Sequence, residues 1–217
     1  MEEKNDFSVD TEQLKNETKN TVDQVREQIK NTDFKKDAEA TKGFVIEMFS
    51  NPFEAIRKVA SEEENVLPKV VILMIIYIAA SVAYQIISTM KYGFNFMYLV
   101  ASVLHPILFI AAPAILVLIL NRKNKKSLIT IISTLVVTSI PVIVTELISI
   151  INILVGGLST ITSPISTMLS AVAIVLTYFG MKDLFGEEDN SKFIKTYAII
   201  KLLAAFILLI LGRIGIY

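Results

Sequence analysis

No cysteine occurs anywhere in the 217 residues, and the single histidine, His105, stands alone. The first absence excludes disulfides, thiolate metal sites, thiol catalysis and palmitoylation. The second leaves zinc without another imidazole or thiolate to complete a tetrahedral site. H-E-x-x-H, G-x-S-x-G, the P-loop and the dinucleotide-binding glycine fingerprint are missing as well, so no enzyme and no cofactor are expected. Residues 1–30 contain no apolar stretch able to serve as the core of a cleavable signal. Nor is there an excess of either charge, since 21 Lys and Arg balance 21 Asp and Glu. That balance hides an asymmetry. Residues 1–67 carry 16 acids and 10 bases, leaving 5 acids and 11 bases for the remainder, so the first part stands near −6 and the second near +6. An acidic tail lacks the basic footprint that nucleic acid requires, and no such partner is expected.

What is present is apolar. Hydrophobic residues make up 53% of the chain and its mean hydropathy is +0.58, although the first third is polar. A bilayer core about 30 Å thick needs roughly 20 apolar residues at about 1.5 Å rise each. Five segments meet that requirement: Pro68 to Ser88, Met97 to Leu120, Leu128 to Val155, Pro164 to Met181 and Thr196 to Ile216. All are read as helices, because lipid offers the backbone no hydrogen-bond partner. The chain is therefore expected to be an all-α polytopic membrane protein, with residues 68–217 as a five-helix membrane domain and its first span as an uncleaved insertion signal. The third segment is the longest, and Pro141 near its middle predicts one kinked span rather than two.

Lys and Arg in short connections tend to remain in the cytoplasm. Arg57, Lys58 and Lys69 precede span one, Arg122, Lys123, Lys125 and Lys126 join spans two and three, and Lys182, Lys192 and Lys195 join spans four and five. The opposite connections hold only Lys91 and, near the end, Arg213. The expectation is a plasma-membrane protein with its N-terminus inside and its C-terminus outside.

The tail, residues 1–67, divides in two. Residues 1–36 are polar, with Val22, Val25 and Ile29 on one helical face and Leu14 further back. This pattern suits either a solvated, partly ordered tail or a docking helix. From residue 43 to 62, Phe44, Val45, Met48, Phe49, Phe53, Ile56, Val59 and Ala60 recur at helical spacing among charges. Asn51, Pro52 and Glu54 predict a stop and restart, with Asn51 as N-cap, Pro52 in the first turn and Glu54 reaching back. Two amphipathic helices are expected to rest in the inner membrane interface with the phenylalanines down, the alternative being packing onto the bundle. Glu62, Glu63 and Glu64 read as a solvated linker.

Ionisable groups inside a membrane are costly, so their depth is informative. Counted from the inner ends of their spans, Gln85, His105, Glu146 and Arg213 all lie roughly 22 to 28 Å up. Facing inward, they would form one polar layer in which Arg213 neutralises Glu146. Such a layer is either a proton or ion relay or a satisfied clamp between helices. Lys201 lies near the inner boundary and can snorkel. The basic connection Arg122, Lys123, Lys125 and Lys126 could contact anionic lipid, although topology setting explains it equally well. Small-residue pairs such as Ala79 with Ala83 and Ser166 with Ser170 permit close helix contact.

Asn51-Pro52-Phe53 ahead of five spans, Pro141 inside the third, and Tyr178-Phe179-Gly180-Met181-Lys182 before an acidic connection together resemble the Yip (Ypt-interacting protein) family. The resemblance covers about Phe49 to Leu211. Its eukaryotic members imply a role in vesicle traffic through Rab-type GTPases and related family proteins. The Asp-Leu-Tyr-Gly-Pro element that those relatives carry before span one is absent, so Rab-type GTPase binding is not carried over, and the chain looks like the bacterial branch. The expected function is a non-catalytic membrane scaffold or adaptor whose tail binds a partner or the inner membrane surface. The partners in view are the bilayer, another copy or another membrane protein. The alternative is a small channel or transporter using the polar layer.

Overall fold

The computed structural model describes residues 11–62, 65–120, 126–186 and 190–213. Among these, nine helices follow one another without a strand: α1 (Thr11–Asn31), α2 (Phe34–Ser50), α3 (Pro52–Ala60), α4 (Leu67–Tyr92), α5 (Phe96–Leu120), α6 (Leu128–Thr138), α7 (Ile140–Leu154), α8 (Ser159–Phe185) and α9 (Asn190–Arg213). Four of them, α4, α5, α8 and α9, are each long and apolar enough to cross a membrane, and the bent pair α6 and α7 counts as a fifth crossing if the two helices form one broken span.

The third expected crossing breaks more sharply than a kink, into α6 and α7. Pro141 has no N–H to give, and α7 restarts just before it at 46° to α6. The backbone N–H of Ser139 closes α6 on the Leu135 carbonyl at 3.1 Å, and its hydroxyl donates to the same oxygen at 2.7 Å. The Ser139 carbonyl in turn accepts from Val142 and Ile143, so these groups at the break are satisfied within the chain, as lipid demands. Pro106 and Pro113, seven residues apart, are both buried within α5 and do not interrupt it. The fourth crossing exceeds its expected bounds at both ends, with Pro164 inside α8.

α4 lies at the centre, packed against α5, α6 and α7, with α2 and α1 along its early turns; α8 packs on α7, and α9 on α5. Between helices in lipid there is no hydrophobic driving force, so close packing and satisfied hydroxyls carry the association. α6 illustrates both. Thr130, Ser133, Thr134 and Thr138 are buried, and the Thr134 hydroxyl donates to the Thr130 carbonyl at 2.8 Å. The small-residue pairs that the sequence suggested as contact sites are otherwise disposed: Ala79 and Ser170 are exposed.

The second half of the tail departs from expectation. α2 begins at Phe34, capped by the Asp33 carboxylate, rather than near Gly43. Asn51 does close α2 and open α3, since its N–H donates to the Glu47 carbonyl at 2.7 Å and its own carbonyl accepts from Ala55 at 3.1 Å. Its side chain makes no cap, however, and Glu54 pairs with Arg57 at 3.3 Å instead of reaching back. The larger correction concerns what the two helices rest on. Phe44, Met48, Ile56 and Val59 are buried in the same core as the spans, α2 against α4 and α3 between α6 and α8. Phe49 and Phe53 remain half exposed. The apolar stripe of an amphipathic helix fits lipid and protein equally well, so the pattern alone does not choose. Here the bundle takes most of it.

Glu62 is more than a linker residue. Its carboxylate accepts the Thr130 hydroxyl and ties the end of the tail to the start of α6. Glu63 and Glu64 lie outside the described residues.

Candidate functional site

α4 presents Ser81, Tyr84 and Gln85 on one stripe, and α5 presents Tyr98, Ser102 and His105 on another, because positions three, four and seven apart share a helical face. Together with Ala101 and with Glu146 of α7, they line a cavity of about 250 Å³. Three of the four residues expected to share a layer thus meet at one place. The fourth, Arg213, stands in the last turn of α9, and its side chain lies outside the described residues, so its pairing with Glu146 is not placed.

One turn below Ser81 on α4 stands Tyr77, fully buried, with a hydroxyl that has no hydrogen-bond partner among the described residues. Its ring meets Phe109 edge to face at 6.4 Å between centroids, and Phe109 in turn lies 6.0 Å from the His105 ring. A carboxylate, an imidazole, an amide and several hydroxyls around one small space can hold a polar or cationic group, or pass a proton between carboxylate and imidazole. Among the described residues no group of His, Asp and Glu is arranged to hold a metal ion. Lys201, placed by its depth outside this layer, lies 5.8 Å from the Tyr197 ring centre on α9.

A second site lies at the other end of the bundle. Of the basic connection, Arg122, Lys123 and Lys125 fall outside the described residues, while Lys126 lines a shallow cavity of about 390 Å³ with Arg57, Lys182 and Asp183. Sequence reading had assigned Arg57 and Lys182 to topology alone. Their convergence with Lys126 depends on α3 lying beside α8, which no local pattern shows.

The same juxtaposition joins two motifs more than 120 residues apart in the chain. Phe53 of Asn51-Pro52-Phe53 meets Phe179 of Tyr178-Phe179-Gly180-Met181-Lys182 edge to face, with centroids 4.7 Å apart. One turn on, Ile56 approaches Gly180, whose missing side chain leaves the room: a Cβ there would stand 3.3 Å from Ile56 Cγ2, 2.9 Å from Thr134 Cγ2 and 2.8 Å from Thr138 Cγ2. Tyr178 turns the other way, onto Phe193 and Tyr197 of α9, each at 5.3 Å between centroids. The model of the Yip1 domain matches residues 46–212, from the middle of α2 almost to the end of α9 and across both motifs. The chain belongs to the Yip1-domain family. That match begins before the first crossing, which accords with α3 being part of the bundle of this Yip1-domain protein. No curated protein and no solved structure matches the chain.

Proposed function

We propose that this multi-pass Yip1-domain protein is a non-catalytic scaffold or adaptor of the plasma membrane, with its N-terminal helices in the cytoplasm, its C-terminus outside and α1 as the element that meets a partner. The observation that carries this reading is the division of labour within the tail. α2 and α3 are built into the membrane bundle, while α1 only leans on α4 and α6 and leaves Lys15, Lys19, Asp23 and Glu27 exposed. A helix fixed on one side and charged on the other is suited to presenting a surface to another protein or a second copy.

The test uses the cysteine-free chain. With single cysteines at Lys19 and Asp23, crosslinking in living cells is expected to capture one defined protein or a second copy, whereas a cysteine at buried Phe44 captures nothing. Equal, unselective capture at all three positions would remove the adaptor reading.

A transporter reading is favoured by one specific observation, the convergence of Gln85, His105 and Glu146 on one cavity. Glu146→Gln should then leave the fold intact while abolishing proton-coupled flux in vesicles. Unchanged flux would discard the relay and leave the cavity as a structural clamp.

A further inference from the structure

We propose that the groove between α1 and the membrane bundle holds one acyl chain of an anionic phospholipid from the leaflet on which α1 lies, with its headgroup at Arg26 and Lys30. This goes beyond the adaptor reading and does not depend on it.

The groove has a volume of about 650 Å³ and is walled by α1, α4, α5 and α6. Its bundle side is apolar, formed by Val70, Met74, Ile75 and Ile78 of α4 with Ile107 of α5 and Ile132 of α6. On α4 the wall runs from Leu67 to Ile78, eleven steps of about 1.5 Å or roughly 16 Å, which matches half of a hydrocarbon core of about 30 Å. It therefore has the length of one leaflet and begins at the end of α4 where α1 lies. An apolar furrow open at that depth is filled by hydrocarbon, since water would find almost no polar partner there.

α1 supplies the other half of an amphipathic site. Val22, Val25 and Ile29 face the groove, with Val22 and Ile29 still about half exposed, so the stripe is not consumed by packing on the bundle. Beside them Arg26 and Lys30 line the same groove, while Asp23 and Glu27, the acids of the same turns, are not among its lining residues. The ordered rim is thus positive although α1 as a whole carries four acids and four bases. Guanidinium and ammonium groups lining an apolar furrow one leaflet long match a phosphate headgroup with its acyl chain in the furrow.

The chain contains no tryptophan, so an introduced one is a unique reporter. The full protein carrying Ile75→Trp, and separately Ile107→Trp, is reconstituted in phosphatidylcholine vesicles with increasing fractions of phosphatidylglycerol brominated on its acyl chains. Leu202→Trp on α9, 71% exposed, reports bulk lipid contact. Quenching in the groove is expected to half-saturate at a fraction of brominated phosphatidylglycerol about five-fold lower than at Leu202, and Arg26→Gln with Lys30→Gln should reduce that preference below about two-fold. If Ile75→Trp does not fold, Ile107→Trp carries the same readout. Quenching that follows the bulk lipid fraction equally at groove and control positions means ordinary surrounding lipid and overturns the site. Quenching at Leu202 alone means the groove is closed to lipid and overturns it as well.

Discussion

Gly180→Val is expected to abolish the folded state, and Gly180→Ala to weaken it by about 1 to 3 kcal/mol, the usual cost of forcing a methyl group into a filled core. Glycine within a helix costs about 1 kcal/mol relative to alanine, so its presence inside α8 calls for a return. The geometry provides one. A Cβ at this position would stand under 3.0 Å from methyl groups of both Thr134 and Thr138, and neither can swing away freely, because each hydroxyl is fixed to a carbonyl of α6. Valine adds two further methyl groups at the point where α3, α6 and α8 converge. The contrast is Gly43 in α2, where an added Cβ meets nothing within 4 Å. Gly43→Ala should stabilise by up to about 1 kcal/mol through helix propensity alone. Thermal midpoints and monodisperse yield in detergent would check both signs. A Gly180→Val protein as stable as its parent would mean that α3 does not occupy this wedge.

The sites of four crossings were legible because an apolar run of about 20 residues is a local property, and Pro141, a residue that cannot complete a helix ladder, marked where the third expected segment bends, though as a kink and not as the 46° break between two helices. Rise per residue is fixed, so counting it set Gln85, His105 and Glu146 at similar heights before any helix was placed, and the three line one cavity. The environment of α2 and α3 was not. Period 3.6 marks a face but not what the face meets, and Ile56 and Phe53 satisfy the same pattern although one is fully buried and the other is 51% exposed. The phenylalanines drew attention as the largest apolar groups, yet the smaller Ile56 enters the wedge, where Gly180 leaves room that it shares with methyl groups of Thr134 and Thr138. Gly180 carried no signal of its own beyond standing in a recognised motif, and the small-residue pairs that did carry one, Ala79 with Ala83 and Ser166 with Ser170, do not mark that convergence. Close approach depends on what lies opposite, which a single chain read in order does not reveal. The cluster of Arg57, Lys126 and Lys182 was hidden for the same reason.

Ile56→Asp is expected to release α3 from the bundle, with Ile56→Ala costing an intermediate amount, about 2 to 5 kcal/mol. Ile56 is fully buried, and the hydroxyls of Thr134 and Thr138, whose methyl groups meet it at Gly180, already donate to backbone carbonyls of α6. A carboxylate placed there would find no donor ready and would lose its hydration, a penalty of several kcal/mol that exceeds what one nine-residue helix can hold against. The opposite face of α3 is charged, with Glu54 paired to Arg57, and Lys58 bonded to Glu47 of α2 at 3.1 Å. Those exposed pairs contribute at most about 1 kcal/mol each and cannot hold the helix once its apolar side is spoiled. Release can be followed through the contact between Phe53 and Phe179. Cysteines at both positions, in a chain with no others, should be joined by a short bifunctional maleimide in the parent, less completely with Ile56→Ala and not with Ile56→Asp. Joining that persists in the Ile56→Asp protein would mean that the wedge at Gly180 is not what holds α3 in place. Loss of joining with the membrane helices still folded would show that α3 can be detached from the domain it completes.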